Sequence, residues 1–97
     1  MFVAIVCCEL HLPHAGSLKS KRRVVRSLLD RLHERARVSV AETAFHDLHQ
    51  RAEIGIAAVA AQAGGLERLC DELRRLVEAE PEAVVTRWDA QLLEEAP

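Results

Sequence analysis

The chain has 97 residues, 49% of them hydrophobic and 29% charged, with a formal net charge of −2. That length makes one domain rather than two, and that composition argues against disorder; folding hides about two-thirds of the unfolded surface at this size, so neither a disulfide nor a metal is required for a core. No apolar run is long enough to cross a bilayer, and Met1-Phe2-Val3-Ala4 has neither the basic flank nor the cleavage site of a secretion signal, so a cytoplasmic protein is expected, with no membrane partner.

Phe2 to Leu12 is almost continuously apolar and β-branched and stops at Pro13 and Gly16, which predicts a strand. Ser17 is placed to cap a helix over Leu18 to Ala36, where Leu18, Lys21, Val25, Leu28, Leu29 and Leu32 recur at three- and four-residue spacing as one buried stripe. Arg37 to Phe45 alternates as a second strand, His46 to His49 forms a turn, and Arg51 to Gln62 returns as a third strand broken by Gly64-Gly65. Leu66, Leu69, Cys70, Leu73, Leu76 and Val77 mark a second helix ended by Pro81, and Ala83 to Leu93 closes the chain as a fourth strand. The order βαββαβ, with right-handed crossovers, predicts an α+β ferredoxin-like sandwich: a four-stranded antiparallel sheet with both helices on one face.

The other sheet face is then open. With Phe2, Val6, Leu10, Ile54 and Ile56 towards the helices, the open face carries Val3, Ile5 and Val59 at one end and Glu9, His11 and Glu53 at the other. An apolar patch on an open sheet predicts self-association, a homodimer through that face.

The net charge conceals an asymmetry. Residues 19–37 hold eight Lys and Arg against two carboxylates, a net of +6, and the remainder carries −8. Lys19, Arg22, Arg23 and Arg26 share one helix face, and with Lys21 they form the candidate anion- or RNA-binding set. They occupy the first turns, where the macrodipole is already positive and each cation costs about 0.3–1 kcal/mol, so stability alone does not select them. Unpaired N–H groups at the same helix end would add to a phosphate site.

Other chemistries are thinly supported. His46, Asp47 and His49, with Gln50 and Arg51, cluster at a turn without a defined ligand set, so no metal, no catalytic residue and no cofactor are assigned. Cys7 and Cys8 leave an extended strand on opposite faces, no disulfide framework is expected, and Cys7, Cys8 and Cys70 all read as packing residues. Phe2, Phe45 and Trp88 are the only aromatics, too few on the first and third strands for the base stacking of an RNA-recognition module. The absence of Asn removes an acylphosphatase-like hydrolase, which uses one to position water.

The segments Glu9-Leu10 with Leu12-Pro13, SLKSKRRVVRSLLDRL, VSVAE and DLHQRAEIGIAAV resemble the YlxP-like family, small bacterial proteins grouped as a domain of unknown function. The resemblance covers about the first two-thirds of the chain and departs at His49, where a typical member has Trp. It implies a ferredoxin-like fold, no established enzymatic activity, and, from the translation and ribosome-maturation genes that commonly neighbour the family, a connection to RNA or the ribosome. The positions it carries over are Ser17, Lys19, Lys21, Arg22, Arg23, Asp47, Gln50 and Arg51. Two readings follow: a non-catalytic RNA- or ribosome-associated protein gripping phosphates with the first helix, or a dimeric protein-interaction or small-anion-binding module with no RNA role.

Overall fold

The computed structural model describes residues 1–96. Its elements are β1 (Phe2–His11), α1 (Leu18–Ala36), β2 (Ser39–Ala44), β3 (Arg51–Ala60), α2 (Ala63–Glu78) and β4 (Val84–Glu94). The strands form one sheet in the order β2-β3-β1-β4, antiparallel throughout, which is the ferredoxin-like arrangement. β1 and β3 are the central pair, in a register that sets Phe2 opposite Ala60 and His11 opposite Arg51.

Strand alternation divides the sheet into two unlike faces. Ala4, Val6, Cys8 and Leu10 of β1 and Ala52, Ile54, Ile56 and Ala58 of β3 are buried. They meet Val24, Val25, Leu28 and Leu32 of α1 and Leu66, Leu73 and Val77 of α2 in one core cluster. Two register shifts, at Glu9/Leu10 against β4 and at Glu42/Ala44 against β3, interrupt the ladder near the ends of the two edge strands. Such bulges re-aim the side chains beside them.

Local chemistry moves several boundaries from those the pattern suggests. β1 ends at His11 and β3 at Ala60. Arg37 is not the start of β2: it caps α1 in the left-handed region (φ 51°, ψ 47°), and the strand begins at Ser39. Gly64 and Gly65 lie inside the first turn of α2, which starts at Ala63, so the glycine pair opens the helix instead of breaking the strand. Ser17 caps α1 as its sequence position suggests, within a reciprocal capping box: Ser20 N–H donates to Ser17 Oγ at 3.1 Å and Ser17 N–H to Ser20 Oγ at 3.2 Å. The cap takes up one of the helix N–H groups that the sequence leaves free for an anion, and it offsets part of the repulsion between the basic first turns and the macrodipole.

Among the described residues no helix is long and apolar enough to cross a membrane.

Candidate functional site

Side chains from α1 alone build the basic surface. Lys19, Arg22, Arg23 and Arg26 are exposed along one face of the helix, while Val24, Val25 and Leu28 on the opposite face hold it to the core. A shallow recess of about 860 Å³ follows this face, walled by Lys19, Arg22, Arg23, Arg26, Asp30 and Arg31 with Ser17, Ser20 and Ser27 at its floor. Because every lining residue belongs to one helix and its cap, the walls are the long cationic side chains themselves, suited to an extended anionic surface rather than an enclosed small molecule. Arg23 makes an exposed ion pair with Glu82 at 3.5 Å, which contributes little. Lys19, Arg22 and Arg26 have no carboxylate within salt-bridge distance among the described residues.

Lys21 must be removed from the anion-binding set. It is 1% exposed, and its ammonium donates to the Phe45 carbonyl at 2.6 Å and lies 2.9 Å from Glu42 Oε2. The Glu42 oxygen receives no well-aligned hydrogen bond, so that contact is an ion pair by charge and distance, and the directional bond goes to Phe45. Phe45 has φ 64°, a left-handed conformation uncommon for a bulky residue, and the buried lysine clamps its carbonyl where β2 leaves the sheet. Lys21 obeys the apolar periodicity of α1, and that periodicity, not its charge, decides where it points. Arg31 has a similar structural share: it pairs with Glu80, itself buried, and so ties α1 to the turn after α2.

The turn cluster meets the polar end of the open sheet face. Asp47, His49, Gln50 and Arg51 border a recess of about 800 Å³ with Glu9, His11 and Thr86. Arg51 contacts Glu9 at 3.2 Å and lies over the Phe45 ring at 3.8 Å; Arg87 approaches Glu9 from β4 at 3.8 Å and holds Asp89 at 2.5 Å. His11 Nδ1–H donates to the Gln50 carbonyl at 3.1 Å, and Thr86 Oγ donates to the Glu9 carbonyl at 3.2 Å beside the bulge. His46 does not join them; its Nε2 turns to the Glu42 carbonyl at 3.1 Å. Thr43 donates to Glu53 at 2.6 Å, which relieves the like-charge opposition of Glu9 and Glu53 across the central pair. Glu9, Thr86 and Arg87 lie outside the cluster the sequence suggests: the β1–β3 pairing brings Glu9 beside Arg51, and the β1–β4 pairing adds Thr86 and Arg87.

Cys8 is buried in the core and burial pushes its thiol up to about 12, whereas Cys7, on the open face, is raised first by burial and then by the Glu53 carboxylate. Cys70 is raised by burial and by Asp71. None has the electropositive setting of a reactive thiolate. The aromatics offer no stacking platform: Phe2 and Trp88 pack against the core, and Phe45 is covered by Arg51.

A family profile described as a protein of unknown function, DUF503, matches residues 3–90, from β1 into β4. The chain belongs to the DUF503 family. It is 35% identical over 75 residues to the uncharacterized protein YlxP of Bacillus subtilis (strain 168), across 77% of this chain and 82% of that one. Among solved structures, a de novo designed protein with a ferredoxin fold superposes with a TM-score of 0.51 at 14% identity, covering all of this chain and 89% of its own. A Shewanella oneidensis protein gives a TM-score of 0.45 at 18% identity, with 93% and 88% covered. For this DUF503 chain the likeness to the designed protein agrees with the strand order and concerns the fold alone.

Proposed function

We propose that this protein is a non-catalytic cytoplasmic binding protein that holds structured RNA, on the ribosome or its assembly intermediates, through the exposed face of α1. The observation that supports this most is the row Lys19, Arg22 and Arg26: three exposed cations without a carboxylate partner among the described residues, on one helix face of a chain whose net charge is negative. Phosphates are contacted and bases are not read, because no aromatic side chain is free to stack; recognition then rests on RNA shape. The ribosomal setting is the one the family resemblance implies. Co-sedimentation with ribosomal subunits tests the reading: the protein pellets with subunits at low salt and is released at high salt, and Arg22→Glu with Arg26→Glu abolishes pelleting. Pelleting that ignores both salt and the substitutions contradicts it.

A second reading takes the open sheet face as the site of self-association, with α1 gripping an acidic protein or a small anion. It is favoured by Val59, Ile5 and Leu93, which are 66%, 43% and 42% exposed on that face. Partners that survive nuclease treatment in a pull-down support this reading over RNA.

A further inference from the structure

β4 is the least covered strand of the sheet. From Arg87 to Glu94 it runs in unbroken register with β1, and among the described residues nothing pairs with its outer edge. The Met1 nitrogen donates to the Glu95 carbonyl at 3.0 Å and the Glu95 N–H donates to the Met1 carbonyl at 2.8 Å, the doubly bonded pair of an antiparallel ladder. Such pairs recur at every second residue. Arg87, Asp89, Gln91 and Leu93 therefore turn their backbone groups to β1, and Trp88, Ala90, Leu92 and Glu94 turn theirs away from it. Ala90, Leu92 and Glu94 are exposed although they lie on the helix side, so α2 leaves this edge clear. The opposite edge, β2, is only six residues long and is interrupted by a bulge. β4 contains neither Pro nor Lys, and its one bulge falls near its start, so the usual devices that blunt an edge strand are missing from Trp88 onwards.

We propose that β4 of a second copy adds antiparallel to this edge about a two-fold axis through Gln91, continuing the sheet across both copies. An added strand must set outward residues against outward residues, and charge selects the register among those that do so. Centring on Leu92 sets Asp89 against the partner's Glu95, and centring on Asp89 sets that carboxylate against itself. Centring on Ala90 leaves Arg87 opposite the partner's Leu93 and loses a bonded pair to the bulge. Centring on Gln91 uses all the outward residues, Trp88 with the partner's Glu94 and Ala90 with the partner's Leu92, for about eight backbone hydrogen bonds. It also sets Arg87 opposite the partner's Glu95 on the open face. On the helix side the partner's Glu94 arrives beside Trp88, over whose ring Arg74 lies at 5.8 Å. Both carboxylates at the end of β4 thus meet a cation, and the symmetry repeats each meeting.

The seam is narrow. About eight residues at about 3.4 Å, by a sheet about 10 Å thick, give roughly 270 Å² per copy, well under a standard interface, so backbone bonds and charge hold a weak, concentration-dependent pair. This surface is distinct from the open sheet face, which stays free on both copies. The axis stands perpendicular to the sheet, so all helices lie on one side of it and the two cationic α1 faces point the same way.

Sedimentation equilibrium of the full chain at low salt, with amide hydrogen exchange read residue by residue by NMR, tests this. The wild type dimerises as concentration rises, and the amides of Trp88, Ala90, Leu92 and Glu94 become protected at least about tenfold, joining their neighbours that already bond β1. Ala90→Pro removes an N–H that meets only water in the single chain, so the variant stays folded by circular dichroism and its dimer weakens at least about tenfold. Arg87→Glu and Glu95→Lys each weaken the dimer, and mixing those two chains restores it, because every facing pair is then of opposite sign. A wild type that is monomeric up to about 1 mM overturns the proposal. A dimer that leaves the outward amides unprotected and is lost in Val59→Glu also overturns it, in favour of pairing through the open face. A dimer lost in Ala90→Pro that shows no preference for the mixed charge-reversed pair overturns the register alone.

Discussion

Replacing Lys21 by Met keeps the length of the side chain and removes its ammonium, a change that should unfold the protein more readily without touching its ligand. Two groups lose their partner: the Phe45 carbonyl, 2.6 Å from Nζ, and the Glu42 carboxylate, 2.9 Å away. Breaking a buried pair from one side costs about 3–5 kcal/mol because the other charge stays behind. Glu42 retains 17% exposure and can recruit some water, which places the expected loss at the lower end, about 2–4 kcal/mol. For a chain of this size that is a fall in Tm of roughly 10–25 °C. Adding Glu42→Leu removes the stranded carboxylate, so the double variant should recover most of the loss, and a double-mutant cycle by urea denaturation measures the coupling. Under conditions where the single variant is folded, its RNA affinity should match the wild type within about twofold, since that ammonium never meets solvent. A loss below about 1 kcal/mol, or a double variant as unstable as the single one, refutes the structural role given to Lys21.

Thiol chemistry should follow burial and charge. At mildly alkaline pH, Cys8, with its thiol near 12, stays unmodified by a maleimide until the protein unfolds, and Cys7 and Cys70, also raised, react more slowly than free cysteine; rate–pH profiles by mass spectrometry check the order, and all three should accelerate as pH rises because the thiolate is the reacting form. Gly55→Ala should destabilise by about 1–3 kcal/mol, because its Cβ would stand 2.7 Å from the Thr43 methyl, and Thr43→Ser in the same chain should return part of that in thermal melts. Arg31→Ala should cost about 1–3 kcal/mol by denaturant titration, leaving the buried Glu80 carboxylate, among the described residues, with only the Glu82 N–H at 3.2 Å.

The fold was legible because period-two and period-3.6 patterns are local: FVAIVCCEL and LERLCDELRRLV each state their own element and buried face. The open face followed from parity along β1 and β3 once their central pairing was inferred. What the pattern concealed depends on partners distant in the chain. Lys21 reads as a cation among cations, and only β2 and the Phe45 turn, more than 20 residues on, supply the acceptors that draw it inward. Glu9, Arg51 and Arg87 are 36 to 78 residues apart and converge only in the assembled sheet. Phe45 and Arg37 adopt left-handed backbone with no glycine to announce it.

The central claim is that the α1 face is an electrostatic grip on RNA phosphates, and the salt dependence of the dissociation constant for a ribosomal RNA fragment tests it most directly. With three to four cations engaged, log K should fall against log salt with a slope of about −2 to −3.5. Neutralising Lys19, Arg22 and Arg26 together to Gln should flatten that slope by about 2–3 while the fold stays intact. A slope that the triple substitution leaves unchanged, with affinity undiminished, would contradict the account.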